Sequence, residues 1–467
     1  MTSNEALPVA VIGAGPVGLA AAARLVERGI QPLVFEQGAS VGAALLEWGH
    51  VRVFSPWKYN IDDAARAMLE ATDWMSPDPD YLPNGWEIVE QYLIPLSKIA
   101  AIAKGLKLGV TVTAVTRKGL NKVASVGREA APFVVRYLDG QVEHDVVVRA
   151  VIDASGTWSQ PNPMGVDGLP VPGERGSAKV SYGIPDVTDA RRSEFIGKRT
   201  LVVGSGHSAI NTAIALMDLQ DTDPKTKIFW ALRHHGVERL LGGGLNDQLP
   251  ERGALGLAAK KAMDQGRLNM LTGFSAKAVV PDGDRVTVLA TAGGKDVELT
   301  VDNVVVAAGF RPDFNFLREL RVEVDPTVEA PPALAPLIDP NLHSCGTVPP
   351  HGVEELSHPE KDFYIVGMKS YGRAPTFLMK TGYEQVRSVV AEIAGDYEAA
   401  RRVELVLPET GVCSVNIKTT TSVGCCGGPA PVEVDACCVA DAVAKDEGKS
   451  GCGCGSKAAP EKVIESV

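Results

Sequence analysis

The sequence predicts an α/β fold in which two similar units each open on a glycine-rich turn. Two short apolar runs carry this prediction, Val9–Gly13 and Thr200–Gly204, because each ends in glycine and precedes a helical pattern. The third observation is compositional: 45% of the 467 residues are hydrophobic and 22% are charged, as in ordinary globular proteins. A chain of this length can form two or three domains.

The charge balance narrows the range of partners. The formal net charge is −11, so nucleic acids and anionic membrane surfaces would repel the chain. No apolar run approaches the ~20 residues needed to span a bilayer. The segment Met1–Pro8 lacks the basic-then-apolar pattern of a signal peptide. We therefore expect a cytoplasmic protein that acts on a small molecule and binds neither nucleic acid nor membrane, with a homodimer left open.

The first unit consists of a strand, a glycine turn, a helix and a second strand. Val9–Gly13 has the continuous apolar character of a buried parallel strand. Leu19–Arg28 is an alanine-rich helical pattern that Gly29 is placed to end. Gln31–Glu36 is the second strand, and the order is that of a βαβ unit.

The turn of this unit carries the pattern typical of a dinucleotide site. Gly13 permits the tight turn, Gly15 lets the backbone approach a pyrophosphate, and Gly18 allows close helix packing. The helix that begins near Pro16 offers amide donors and a positive dipole end to phosphates. Glu36 ends the second strand, where its carboxylate can accept hydrogen bonds from ribose hydroxyls.

Helices and strands follow before a proline- and glycine-rich linker. The helical patterns lie near Asp62–Ala71 and Trp86–Lys104. Alternating patterns predict strands at Gly109–Thr116, Phe133–Leu138 and Val142–Ile152, and the linker is Gln160–Gly176.

A second βαβ unit begins at Thr200–Gly204 and ends with the strand Ile228–Leu232. Its turn supplies the second set of candidate cofactor-binding residues, which are Gly204, Ser205, Gly206, His207 and Ser208, with alanine in place of the third glycine. Arg233 follows the second strand where an acidic residue would favour NAD. Its guanidinium instead suits the 2′-phosphate of NADP.

The remaining elements complete a two-domain plan. Strands are predicted near Ala276–Val280, Arg285–Thr291, Val297–Val301, Val304–Gly309 and Phe363–Gly367, and a helix near Gly382–Ala394. The fold class is thus α/β with two Rossmann-like dinucleotide-binding domains, the second inserted in the first. We place the first domain at residues 1–180 and 306–411, the inserted domain at 181–305, and a flexible cysteine-rich tail at 412–467.

The chain resembles the flavoproteins with two dinucleotide-binding domains, and among them the flavin-containing monooxygenases. The resemblance rests on the first glycine turn with Glu36 and on Phe195–Arg199, which leads into the second turn. It implies that the first domain binds FAD and the inserted domain binds NADPH. It also implies that Gly156, Gly309 and Gly367 end strands near these cofactors. Met368 stands where many members of the family have an aspartate.

The body of the chain lacks the cysteines that a disulfide reductase of this fold uses. None of the eight cysteines precedes Cys345. The family's disulfide reductases carry a close cysteine pair beside the flavin, near the first turn or in the NADPH domain. Reduced flavin is therefore left to react with oxygen directly or to deliver electrons to the tail.

The tail holds closely spaced thiols that predict a site for one soft ion. These candidate metal ligands are Cys425, Cys426, Cys437, Cys438, Cys452 and Cys454. Their spacing differs from the CxxC pairs of zinc sites and suits a thiophilic metalloid such as trivalent arsenic. The tail and the stretch Gly367–Pro375 resemble flavoproteins associated with arsenic resistance. The alternative is a flexible tail whose cysteines bind nothing.

The candidates for catalysis are three residues in the segment that follows the first unit. The resemblance places the segment that contains Trp57, Lys58 and Asn60 over the flavin ring. Asn60 can donate a hydrogen bond to a flavin hydroperoxide, or it can cap the helix that follows. Trp57 suits a core position as well as a site.

These observations leave three functional hypotheses. In the first, an FAD- and NADPH-dependent monooxygenase acts through a flavin hydroperoxide on a soft nucleophile, with a trivalent arsenical in arsenic resistance as one candidate. In the second, a reductase passes electrons to the C-terminal cysteine pairs and on to a disulfide, metal or metalloid. In the third, a flavoprotein binds metalloid without catalysis.

Overall fold

A computed structural model describes residues 6–234, 250–342, 348–374 and 378–405. Its strands are β1 (Val9–Ile12), β2 (Pro32–Glu36), β3 (Leu106–Leu108), β4 (Val110–Arg117), β5 (Phe133–Asp139), β6 (Val142–Val148), β7 (Ala150–Asp153), β8 (Val180–Tyr182), β9 (Arg199–Val203), β10 (Lys227–Leu232), β11 (Asn269–Thr272), β12 (Ser275–Asp282), β13 (Arg285–Ala292), β14 (Lys295–Val301), β15 (Asn303–Val306) and β16 (Phe363–Ile365).

The α-helices connect these strands or cover the sheets. They are α1 (Pro16–Glu27), α2 (Ala43–Glu47), α3 (Trp57–Asn60), α4 (Asp63–Glu70), α5 (Gly85–Ile88), α6 (Ile94–Ser97), α7 (Ala100–Ala103), α8 (Arg192–Phe195), α9 (His207–Thr222), α10 (Pro250–Asp264), α11 (Ala335–Ile338), α12 (Val353–Leu356), α13 (Met379–Ile393) and α14 (Tyr397–Arg401). A π-helix covers Val89–Leu93, and 3-10 helices cover Asn315–Leu317 and Gly367–Tyr371.

The first sheet is parallel and has the strand order β16-β7-β1-β2-β3. All four residues of the central strand β1 are buried, as expected for a sheet covered on both faces. Val9 and Val11 pack into the core that α1 and α13 share with the sheet. Ala10 and Ile12 face the opposite side and pack against residues of β5. The antiparallel sheet β4-β5-β6 thus forms the third layer.

The second domain repeats this three-layer plan. Its parallel sheet has the order β11-β10-β9-β15-β8. Val202 and Val305 pack against α9, whereas Leu201 and Val304 pack against the antiparallel sheet β12-β13-β14. The strands from β8 to β15 lie between β7 and β16 in the chain, so the inserted arrangement is confirmed. The residue limits that we placed between the domains stay a prediction.

The two chain crossings between the sheets run side by side. The amide of Asn162 donates to the carbonyl oxygen of Gly309 at 2.9 Å, and the amide of Arg311 donates to that of Gln160 at 3.0 Å. Pro161 and Phe310 form an isolated antiparallel bridge between these bonds. The segment leaving the first domain is therefore hydrogen-bonded to the segment that returns.

Two predicted elements were wrong in form. The stretch Val142–Ile152 is two strands, because the chain leaves the antiparallel sheet after Val148 and enters the parallel sheet at Ala150. The predicted helix Trp86–Lys104 is divided into short helical pieces around a π-helix. Pro95 follows the π-helix and offers no amide to the preceding turn, which accounts for the local change of helical geometry.

The described ranges contain no helix that is long and apolar enough to cross a membrane. The six candidate metal-binding cysteines and the predicted tail lie outside the described residues.

Candidate functional site

The first glycine turn has two glycines required by packing and one that faces open space. Gly13 has φ of +98°, and a Cβ there would lie 2.6 Å from the carbonyl oxygen of Ala154. A Cβ on Gly18 would overlap the carbonyl oxygen of Gly13. Around Gly15, by contrast, no described atom outside its immediate chain neighbours lies within 4 Å of the Cβ position. This open space, at the start of α1 where Pro16 lies, fits a pyrophosphate group.

Glu36 is held beside this turn by two backbone amides. Its Oε2 accepts from the amide of Ala14 at 2.8 Å, and its Oε1 accepts from the amide of Gly38 at 2.8 Å. Each carboxylate oxygen keeps a second lone pair. Because the side chain is fixed and 8% exposed, its free lone pairs are available to ribose hydroxyls at the edge of the sheet.

A buried ion pair lies behind the same edge. Nζ of Lys369 is 2.7 Å from Oδ2 of Asp153 and 3.1 Å from Oγ of Ser155. Oδ1 of Asp153 accepts from the amide of Ser155 at 3.0 Å and from its hydroxyl at 2.6 Å. Both charged side chains are fully buried, whereas Ser155 is exposed at the carboxyl end of β7.

A neutral hydrogen-bond network fixes the end of β16. The amide of Gly367 donates to Oε1 of Gln385 at 2.7 Å, and Nε2 of Gln385 lies 2.9 Å from Oγ of Ser370. That hydroxyl donates to the carbonyl oxygen of Gly367 at 2.7 Å. Gln385 also lies 2.8 Å from Nε2 of His351, which is buried. Gly367 has φ of +70° and lies against Val17 of α1.

As in the first turn, one glycine of the second turn is required by packing and another faces open space. Gly204 has φ of +139°, and a Cβ there would overlap the carbonyl oxygen of Ala307. Gly206 faces open space, since no described atom outside its immediate chain neighbours lies within 4 Å of its Cβ position. His207 begins the 16-residue helix α9, and its ring lies 5.0 Å from that of Phe54 in the first domain. The turn therefore fits a second pyrophosphate.

The other predicted cofactor residues lie near these turns. Ser205 is exposed beside Gly206, and Ser208 lies in the first turn of α9. Arg233 is exposed after β10, with Nη2 3.4 Å from the carbonyl oxygen of Gly165. Gly156 and Gly309 follow β7 and β15 with φ of +70° and +84°. Their roles toward the cofactors stay predictions.

The three catalytic candidates occupy different environments on α3. Asn60 is fully buried, and its Nδ2 donates to the carbonyl oxygen of Ser55 at 2.6 Å. Trp57 lies in the first core at 1% exposure, and its Nε1 has no partner among the described residues. Lys58 is exposed and pairs with Asp80 at 2.8 Å, which raises its pKa.

The alternative interpretation of Asn60 as a helix cap was wrong. Asp62 occupies the cap position of α4, and its side chain accepts from the amide of Ala65 at 3.0 Å. A second pair links Asp62 to Arg24 of α1 at 2.9 Å. Aspartate caps better here because its buried carboxylate also pairs with that partly buried guanidinium. The catalytic roles of Asn60, Trp57 and Lys58 stay predictions.

Sequence reasoning missed Lys369 and Gln385. A single lysine after the strand Phe363–Ile365 gives no periodic signal, and its partner Asp153 is 216 residues away. Gln385 lies within the predicted helix, where polar residues are usually solvated. The parallel pairing of β16 with β7 brings Lys369 beside Asp153. Among the described residues, no group of three histidine, cysteine, aspartate or glutamate side chains could hold a metal ion.

Comparison with known proteins identifies a family model and several relatives that match this chain. The family model for pyridine nucleotide-disulphide oxidoreductases matches residues 7–332. Human flavin-containing monooxygenase 3 is 28% identical over 215 residues, which are 44% of this chain and 37% of that protein. The chain thus matches little more than a third of that relative's length. The ferredoxin–NADP reductase of Thermus thermophilus is 26% identical over 353 residues, 73% of this chain and 84% of that protein.

Solved structures share the fold at lower identity. Bacillithiol disulfide reductase from Bacillus cereus has a TM-score of 0.63 and 19% identity, with 83% of this chain and 99% of that chain covered. The ornithine N-hydroxylase of Kutzneria has a TM-score of 0.55 and 16% identity, covering 85% of this chain and 100% of that chain. Together with the two glycine turns, the family match supports one conclusion: the chain belongs to the pyridine nucleotide-disulphide oxidoreductase family.

Proposed function

We propose that this oxidoreductase is a monooxygenase that transfers one oxygen atom to a soft nucleophile. In the balanced reaction, NADPH, a proton, O2 and the substrate give NADP+, water and the oxygenated substrate. The observation that carries the proposal is the absence of cysteine from residues 7–332, the whole region that the family model spans. A thiol pair within that region is therefore excluded as the electron acceptor.

Each of the two glycine turns would bind a different cofactor. Gly15, the start of α1 and Glu36 would hold the pyrophosphate and ribose of FAD. Gly206, the start of α9 and Arg233 would hold NADPH, with Arg233 selecting for the 2′-phosphate. When bound, FAD supplies the hydride acceptor and the site of oxygen activation.

The segment that contains α3 is the candidate lining of the substrate side. Asn60 keeps a second amide hydrogen after its bond to Ser55, so it can donate to a reacting oxygen. The buried Trp57 would exclude water beside it. Lys58 would act at the rim, because it is exposed and tied to Asp80.

The proposed substrate is a sulfur, nitrogen or trivalent arsenic centre with an available lone pair. Trivalent arsenic is the substrate that the cysteine-rich tail would also bind, since closely spaced thiolates bind thiophilic ions. The role in arsenic resistance and the metalloid site at Cys425, Cys426, Cys437, Cys438, Cys452 and Cys454 belong to this proposal.

Stoichiometry tests the oxygen transfer. Purified enzyme is supplied with NADPH, and oxygen uptake, peroxide release and substrate oxidation are measured with a trivalent arsenical or a thioether. We expect one O2 and one oxygenated product per NADPH, with little peroxide. Continued NADPH oxidation without oxygen, beyond one equivalent per flavin, would contradict the proposal. Replacing the six tail cysteines by serine should raise the KM for an arsenical and leave thioether oxidation unchanged.

A reductase is the second candidate function. It is favoured by the large share of one reductase relative's length that this chain covers. The match to the ferredoxin–NADP reductase covers 84% of that protein, whereas the match to the monooxygenase covers 37% of that protein. In this proposal electrons pass from reduced flavin to a tail cysteine pair and on to a disulfide or metal acceptor. Anaerobic NADPH oxidation with such an acceptor should then be lost in the six-serine variant. Unchanged turnover in that variant would exclude the tail as electron carrier.

A further inference from the structure

Lys369 forms a charged contact that the turns and strands around it do not require. Asp153 already accepts two hydrogen bonds from Ser155, so the turn after β7 is closed without the lysine. A buried ammonium group is costly unless it is paired, and this one adds a bond to each of those residues. The extra bonds join the turn after β7 to the 3-10 helix after β16.

The turn that Lys369 contacts lies directly against the first glycine turn. The amide of Ala154 donates to the carbonyl oxygen of Ile12 at 2.9 Å. A Cβ on Gly13 would lie 3.0 Å from Cα of Ser155, so the two turns leave no room between them. Any shift of the turn after β7 would therefore move the backbone that is open to a pyrophosphate.

The lysine itself is fixed from the opposite side. The amide of Val366 donates to the carbonyl oxygen of Asp153 at 2.9 Å, which aligns the two strand ends. The ammonium group lies 4.5 Å from the ring centroid of Phe316 and 5.5 Å from that of Phe314. The ammonium group of Lys369 is thus enclosed by two aromatic rings and the carboxylate of Asp153.

We propose that Lys369 is a positioning residue for FAD. It holds the Asp153–Gly156 turn, and through it the first glycine turn, in the conformation that receives the cofactor. Ser155 carries the effect to the surface of the site, because its side chain is exposed while its Oγ accepts from the buried ammonium group. The inference rests on the assignment of FAD to this domain and is independent of the reaction that the enzyme performs.

FAD binding to the apoprotein tests the role. The Kd of FAD is measured by quenching of flavin fluorescence, and the thermal stability of the apoprotein is measured in parallel. The matched control is Arg387→Met on α13, because Arg387 also forms a buried ion pair, with Oε1 of Glu384 at 2.6 Å, and contacts the carbonyl oxygen of Ala399. Lys369→Met and Arg387→Met should both lower the apoprotein Tm, since each leaves a buried carboxylate unpaired.

The two variants should differ in FAD affinity. We expect Lys369→Met to raise the Kd at least tenfold more than Arg387→Met does. Asp153→Asn combined with Lys369→Met should recover much of the apoprotein Tm without recovering the Kd, and Lys369→Arg should retain part of the affinity. Equal Kd values in Lys369→Met and Arg387→Met, or full recovery of the Kd in the double variant, would overturn the positioning role. Failure of the wild-type apoprotein to bind FAD would overturn the site itself.

Discussion

The Nε2 atoms of Gln385 and His351 lie 2.8 Å apart, and both side chains are buried. Nδ1 of His351 lies 3.0 Å from the carbonyl oxygen of Pro349, which can only accept, so the ring proton is on Nδ1. Nε2 must then accept from Gln385, whose Oε1 is occupied by the amide of Gly367. The network therefore requires a neutral histidine, and a second ring proton would face a donor.

The first prediction is a loss of stability in acid. Burial lowers the pKa of His351 from its ordinary value of 6.5. The unfolded chain thus binds more protons in this range, so the free energy of unfolding should fall as the pH drops below about 6.5. His358, whose pKa burial lowers to about 4, acts in the same direction. The midpoint of denaturant unfolding between pH 5 and 7.5 measures the effect.

The variant His351→Gln should flatten this pH dependence in part, since one histidine with a lowered pKa is removed while His50 and His358 remain. The exposed residue His144 supplies the control, and His144→Gln should leave the slope unchanged. A wild-type stability that is constant from pH 7.5 to 5 would contradict the requirement for a neutral ring.

The second prediction separates ligand space from packing within one turn. Gly15→Ala should leave the thermal stability of the apoprotein near that of the wild type, because the added methyl group meets open space. The same methyl group should obstruct a pyrophosphate and raise the Kd of FAD at least tenfold. Gly18→Ala should instead lower the apoprotein Tm or prevent folding, because its Cβ overlaps the carbonyl oxygen of Gly13. Titration with FAD and thermal unfolding together distinguish the two.

The third prediction concerns Glu36, whose carboxylate accepts from Ala14 and Gly38. In Glu36→Gln one of these amides would face an NH2 group, and the ribose would lose an ionised acceptor. Hydrogen bonds to charged groups contribute about 1.5–3 kcal/mol, so the Kd of FAD should rise about 10- to 100-fold. Fluorescence titration of the apoprotein measures it. A Kd within twofold of the wild type would show that Glu36 serves only the backbone.

The fourth prediction concerns the choice of nicotinamide cofactor. Arg233→Ala should lower kcat/KM for NADPH about 10- to 100-fold, the range expected for loss of a charge-assisted contact, and change that for NADH little. Steady-state oxidation of both cofactors provides the measurement. Gly206→Ala, by contrast, should impair both, because the pyrophosphate is common to them. Equal losses for the two cofactors in Arg233→Ala would remove its role at the 2′-phosphate.

The sequence was informative where a local pattern carries the chemistry. The apolar strands, both glycine turns and the acidic end of β2 follow from short-range rules, and all appear in the structure. Asp62 displaced Asn60 as the cap because Arg24, on another helix, supplies its counter-charge. The pairing of Lys369 with Asp153 had no local signal, since β16 is laid beside β7 only when the chain returns from the inserted domain. Long-range charge pairs of this kind follow from topology.

The paired crossings at Asn162 and Gly309 have a bearing on how such a chain could arise. Because the points of departure and return are neighbours, the inserted domain presents two adjacent ends to its host. A unit with adjacent ends can be gained, lost or exchanged as a cassette while the host sheet keeps its strand order. Relatives could accordingly acquire a different nicotinamide preference by replacing one domain, with the flavin half inherited unchanged.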